Sequence, residues 1–268
     1  PTPAPPRYVA ASPVAYRWQG MYVGGQIGFA GAGYDFGNAT ASQINYILRN
    51  DIVGPHVANW TTLPTKDATK QIYGAFVGYN AQWDGDLILG AEANYSHTLS
   101  GGLFASASDS MTRTFQDDAV APAQHHYFYT ATVATSASAR VVDYATARMR
   151  AGVVLDRLLP YAFAGIALGR VDVVRSTTIS YTRQDIPDVT VPPNPPIAPQ
   201  PVFNFGPQSQ TERKDGVIAY GYAAGVGIDV ALLPNVFMRA EYEYVKFSSV
   251  HDIKLNVSTG SLGVGLKF

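Results

Sequence analysis

Val257-Ser258-Thr259-Gly260-Ser261-Leu262-Gly263-Val264-Gly265-Leu266-Lys267-Phe268 ends the chain, and from Ser261 onward it alternates residue by residue. Leu262, Val264, Leu266 and Phe268 share one parity; Ser261, Gly263, Gly265 and Lys267 share the other. Successive side chains of a strand point to opposite faces, so this segment predicts a strand with one apolar face and one small or polar face.

The same period recurs through most of the chain. Residues 20–31 set Met21, Val23, Ile27 and Phe29 against Tyr22, Gly24, Gln26 and Gly28. Residues 71–83 set Tyr73, Val77, Tyr79 and Trp83 against Phe76, Asn80 and Gln82. Residues 87–96, 143–155, 216–230 and 236–247 repeat the pattern, while 161–174 is less clean because Ile166 and Leu168 share a face with Arg170 and Asp172. With the C-terminal segment this predicts eight strands, an even number suited to a closed antiparallel ring. Turns after the second, fourth and sixth strands are short. Connections at about 32–70, 97–142 and 175–215 are long.

Composition says where such a ring sits. Charged residues are 15% and aromatics 12%, with 17 Tyr and 25 Gly, against about 25% charge in an ordinary soluble domain. No window of 18 uncharged apolar residues exists, so no helix spans a bilayer. A closed barrel is then the remaining way to cross one, because every backbone polar group in hydrocarbon must be paired within the protein. The expected fold is all-β: an eight-stranded antiparallel transmembrane β-barrel with short periplasmic turns and long extracellular loops. The soluble alternative is a lipocalin-like barrel with its apolar face turned inward. It would leave glycine-rich faces in water, a poor soluble exterior. Net charge of −1 argues against nucleic acid as a partner. The absence of cysteine removes thiol chemistry and disulfides.

Several motifs carry a family resemblance. Trp18-Gln19-Gly20-Met21-Tyr22-Val23-Gly24-Gly25, Arg148-Met149-Arg150-Ala151-Gly152, Leu158-Leu159-Pro160-Tyr161 and Arg239-Ala240-Glu241-Tyr242-Glu243-Tyr244 occur in that order, ahead of the terminal Phe268. Together they resemble the opacity and immunogenic surface-antigen group of alphaproteobacterial, OmpA-like eight-stranded barrels, often labelled porin family. The resemblance implies a Gram-negative outer-membrane location and a structural, adhesive or immunogenic role. No cofactor and no catalysis are expected. Expected partners are outer-membrane lipid and lipopolysaccharide, the barrel assembly machinery through the C-terminal strand, and a homo-oligomer or another envelope protein. The Pro-rich segment 1–17 reads as a periplasmic arm following a removed signal peptide, within reach of peptidoglycan; residues 18–268 form the barrel.

Inward parity collects Glu92, Arg148, Arg150, Asp229, Arg239, Glu241, Glu243 and Lys267. An eight-stranded ring has room only for its own side chains, so these read as an internal ion-pair plug; a narrow ion path lined by them is the alternative. Trp18, Trp83, Tyr95 and Phe268 are the expected interfacial aromatics. Adjacent His125 and His126 read as loop histidines, since neighbours on a strand face opposite ways and seldom chelate one ion. His97 near Ser96 and Ser100 is the one candidate for lipid-directed catalysis, and no matching acid stands out in the sequence. Gly24-Gly25-Gln26-Ile27-Gly28 has no following helix to receive a phosphate. Pro192-Pro193-Asn194-Pro195-Pro196 reads as a stiff loop tip. Tyr127-Phe128-Tyr129 and 130–139 read as a hairpin extension above the membrane.

Overall fold

A computed structural model describes residues 16–58, 60, 63–83, 85–99, 101–188 and 195–268. Most of the proposed arm (1–15), Asp84, Ser100 and the centre of the proline run (189–194) lie outside the described residues. The strands are β1 Gly20–Asp35, β2 Thr65–Trp83, β3 Leu87–Thr98, β4 Leu103–Gln116, β5 His125–Val153, β6 Leu158–Pro187, β7 Phe203–Leu233, β8 Val236–Phe247 and β9 Lys254–Lys267. Two short helices, α1 Ala41–Ile47 and α2 Gly54–Val57, lie between β1 and β2.

All pairings are antiparallel. β1 pairs with β2 on one side and with β9 on the other, and β3 pairs with β5, which closes the sheet. Eight strands therefore form the ring, and β4 stands outside it. β4 continues the line of β3 along the upper half of β5, from Leu103 opposite Val141 to Gln116 opposite Phe128. Gly101 and Gly102 break the line with φ of 80° and 82°. A Cβ on Gly102 would sit 2.7 Å from the Val141 carbonyl oxygen, so glycine is required there twice over.

Alternation sorts the ring's faces as the sequence predicts. Ile27, Phe29, Tyr73, Met149, Val226 and Leu262 are exposed, while Tyr22, Phe76, Arg148 and Arg239 are buried. An exposed belt of this kind on a closed sheet is a surface for hydrocarbon. Ile166 and Leu168 point outward with the rest of that belt. Arg170 and Asp172, on the same face, stand above it: Arg170 reaches Asp143, and Arg140 reaches Asp172 through Nε at 3.0 Å. The mixed strand is thus one strand crossing from lipid into the polar zone.

The long connections differ from simple loops. Strand continues through much of 97–142 and 175–215, so that β4 and the outer halves of β5, β6 and β7 form a four-stranded wall above the ring. In the sequence, 103–116, 175–187 and 203–215 read as part of the connections, because their small and polar residues give little hydropathy contrast between faces. Registers slip at Val141/Asp143 and at Val171/Val173, level with the Gly101-Gly102 break. These irregularities mark the seam between ring and wall, where extra residues add twist and let the sheet bend. Segment 36–64 is not a free loop either. Ile44, Leu48, Val53 and Val57 pack on Tyr129, Val133, Ile179 and Tyr181 of the wall's inner face.

Placing Arg at Leu262 on the apolar belt is expected to destabilise the refolded barrel by about 2–4 kcal/mol, and Arg at Ser258, nearer the rim, by about 0–1 kcal/mol. Urea unfolding in liposomes reads both; equal costs would contradict the belt.

Candidate functional site

Two regions concentrate chemistry: the middle of the lumen, and the upper wall with its helical insert.

In the lumen, alternation on β3, β5, β7 and β8 brings seven charged side chains to one level. Arg148 donates from Nε to Glu92 Oε1 at 3.1 Å and from Nη1 to Glu243 Oε1 at 3.0 Å, and meets Glu241 at 2.7 Å. Arg150 donates to Asp229 at 2.7 Å. Arg239 bridges Asp229 at 2.9 Å and Glu92 at 2.8 Å. Tyr22 and Tyr161 hydroxyls donate to Glu92 and Glu241, each at 2.7 Å. Each guanidinium also lies against a ring: Arg148 on Phe163, Arg150 on Tyr161, Arg239 on Phe76. Three cations thus face four carboxylates in a layer closed to solvent. Burial of this kind is tolerated because every ion has an opposite charge and hydrogen bonds on it.

Apolar packing bounds the layer on both sides. Tyr22, Phe76, Ile88, Leu159 and Phe237 close it toward the short turns. Tyr144, Ala167, Val245, Phe247 and Val257 fill the ring toward the wall. Between the charges and that upper cluster lies a polar step, where Gln26 and Asn94 exchange bonds at 3.1 and 3.2 Å and Tyr144 meets Thr259 at 2.7 Å.

Two expected roles change. Lys267 does not join the charge layer; its ammonium sits at the short-turn end, bonded to the Arg17 carbonyl, because β9 leaves the ring there. Trp18 is not an interfacial anchor. It is 1% exposed, turned inside against Phe237 and edge-on to Tyr16 at 4.6 Å. The ring mouth needs a stopper, and Trp18, two residues ahead of β1, folds under it. Trp83, Tyr95 and Phe268 lie on the outer surface, with the Tyr95 hydroxyl 3.1 Å from Asp143.

The wall holds residues that lie past the end of the strand predicted over 161–174. Arg175 is buried and donates to the Ala39 carbonyl and the Ser42 hydroxyl, both at 3.0 Å, and to Glu212 at 2.9 Å. Thr177 donates to Gln43 at 2.9 Å, and Tyr181 to Asp51 at 2.7 Å. These bonds bolt segment 36–64 to β6 and β7. Extending the period of β6 through Val173, Arg175, Thr177, Ile179 and Tyr181 is the signal that would have found them.

At the wall's tip, His125 and His126 face opposite ways, each with its own carboxylate. His125 meets Asp185 at 2.8 Å; His126 meets Asp118 at 2.7 Å and Asp188 at 3.0 Å. His56 of α2 meets Asp117 at 2.7 Å. No group of three or more ligating side chains suited to a metal ion occurs among the described residues. The hydrogen bond that His126 donates to Asp118 raises the His126 pKa, and the same bond lowers that of Asp118. His97 and Ser96 are not brought together: His97 lies outward near Asp143 at 3.7 Å, while Ser96 is buried and bonded to Gln26.

This architecture, a closed antiparallel ring with an apolar belt and a filled core, defines a transmembrane β-barrel. The family model for the outer membrane protein beta-barrel domain matches residues 8–268, and the chain belongs to that family. It is an outer-membrane protein of a Gram-negative bacterium. No curated protein matches it in sequence. Among solved structures it is similar to Ail, the attachment invasion locus protein of Yersinia pestis, at 14% identity over 93% of this chain and 99% of that one, TM-score 0.34. Neisserial surface protein A gives 14% over 92% and 97%, TM-score 0.35. The N-terminal β-barrel domain of Pseudomonas aeruginosa OprF gives 13% over 91% and 97%, TM-score 0.30. Superpositions this loose add nothing to the family match and the ring closure, which carry the assignment.

Removing one partner of the charge layer leaves buried carboxylates unpaired. Arg239→Met is expected to cost about 3–5 kcal/mol of unfolding free energy, and Lys267→Met, at the margin, less than about 1 kcal/mol. Equal losses in urea titrations would contradict the layer. At the tip, the raised His126 pKa stabilises below the free imidazole range near 6.5 and is lost as pH rises through the folded value. The lowered Asp118 pKa stabilises above the free carboxylate range near 4 and is lost as pH falls through its folded value. Hydrogen exchange at 117–127 should therefore be slowest, after correction for intrinsic rates, between about pH 4 and 6.5. His126→Ala should flatten the profile.

Proposed function

We propose that the protein is a surface anchor: its barrel fixes a tall, braced sheet on the outside of the outer membrane, where that sheet makes contacts. The supporting observation is the wall itself. β5, β6 and β7 run 29, 30 and 31 residues, whereas about 9–11 residues suffice to cross the bilayer. The excess length is held upright by segment 36–64, bonded through Arg175 and Tyr181. A chain selected only to span a membrane has no use for that bracing. The contact partners fitting this reading are lipopolysaccharide, other cells or neighbouring envelope proteins. Membership of the narrower opacity and surface-antigen group belongs to the same reading.

The filled lumen supports an anchor over a conduit. An eight-stranded ring leaves space only for side chains, and here charge and apolar layers alternate along it. An epitope inserted beside Val120, at the β4–β5 hairpin tip, should be detected by antibody on intact cells. The purified protein should show no steady conductance in planar bilayers. Openings whose ion selectivity shifts in Arg148→Gln would replace the anchor by a channel.

A further inference from the structure

The wall's outward face has a chemistry of its own. The row Ser108, Ser136, Ser176 and Thr211 crosses all four strands in register. Neighbouring rows repeat it, and their hydroxyls pair across strands: Thr112 with Thr132 at 2.9 Å, Thr178 with Ser209 at 2.8 Å. No charged side chain stands on this parity of β4 over 104–116, of β5 over 128–138 or of β6 over 174–184. The opposite parity of the same strands does carry charge, at Asp109, Arg113 and Arg175. On β4, β5 and β6 the lack of charge is thus specific to one face and not a property of the segment; β7 brings one charge to that face, Arg213, which lies opposite Val174 and is closed on Asp215 at 2.9 Å.

This face continues the lipid-facing surface without a step, because β5, β6 and β7 pass unbroken from belt to wall. Reading upward along it gives three zones in order. First come the aliphatic side chains of the belt. Next comes the seam of ion pairs, Arg170 with Asp143 and Arg140 with Asp172. Last comes the hydroxyl field, which rises from Val174 to Thr182 over roughly 26 Å of strand. An outer-leaflet glycolipid has the same order: acyl chains, charged phosphates, then sugars. Hydroxyl rows without charge match sugar hydroxyls. Between Phe104 at the foot and Phe128 at the top, the rows on β4, β5 and β6 carry none of the aromatic or arginine anchors that a tight protein partner needs, and β7 adds Arg213 alone among the described residues.

We propose that the outward hydroxyl face of the β4–β7 wall is a contact surface for the saccharide of the surrounding outer-leaflet glycolipid. This rests on the anchor reading above, which places the wall outside the cell. The protein has no cysteine, so single cysteines report on each position alone. Ser136→Cys and Thr178→Cys probe the face, and Asp109→Cys, on the other parity at the same height, reports general crowding. On intact cells with full-length surface saccharide, a membrane-impermeant maleimide should label the two face positions about tenfold more slowly than on cells whose glycolipid is cut back to its lipid and phosphates. Asp109→Cys should change little. In proteoliposomes, added phosphate-free core oligosaccharide should slow Ser136→Cys, and inorganic phosphate should not.

Equal rates at all three positions between the two cell types would overturn the proposal. So would slow labelling of the face in both cell types, which would indicate a second copy or another protein on it. Slowing by phosphate alone would assign the contact to the glycolipid's charged groups instead of its sugars. Failure of Asp109→Cys to label in either cell type would refute the outside location of the wall, and with it the anchor reading.

Discussion

Everything in this molecule follows from the cost of an unpaired peptide group in hydrocarbon. Each lipid-exposed N–H or C=O without a partner costs several kcal/mol, so a sheet inside a bilayer cannot have edges. The pairings β1–β9 and β3–β5 remove them. Once the ring is closed at eight strands, its interior is narrow, and every inward residue must pack against others from across the barrel. The seven lumen charges are tolerated by this geometry because it brings carboxylates from β3, β7 and β8 to guanidinium groups from β5 and β8.

Above the belt the constraint is lifted, and the sheet behaves differently. Among the described residues β4 and the outer part of β7 have free edges there, since water can pair their backbone groups. The wall needs another source of order. It comes from segment 36–64, whose Ile44, Leu48 and Val53 cover the inner face, and from Arg175, which joins that segment to two strands. The break at Gly101-Gly102 and the register slips beside it separate these two regimes, and the outward ion pairs of Arg170 and Arg140 lie at the same level. One continuous set of strands thus serves two solvents.

Much of this was legible in the sequence, for a simple reason. Where one face meets hydrocarbon, alternation is enforced at high contrast, so the strand positions, the belt and the inward charges all show as period two. The outer halves of β5 to β7 were not legible as strands to the same degree. In water both faces of a strand accept Ser, Thr and Ala, and the contrast vanishes. Trp18 shows the opposite failure. An aromatic at a strand end fits an interfacial anchor and a mouth stopper equally well, and only the path of the chain under the ring distinguishes them.

Sequence alone therefore determined the ring: its strand number, which strand residues meet lipid and, Lys267 apart, which charges turn inward, because those follow from local alternation and from the need to pair every backbone group. Tertiary structure alone decided which charge meets which, that Lys267 stays out of the layer, and that residues 36–64 brace a wall instead of forming a loop. Those facts depend on registers between strands far apart in the chain and on a helical insert whose short apolar run has no meaning until a surface exists for it to cover.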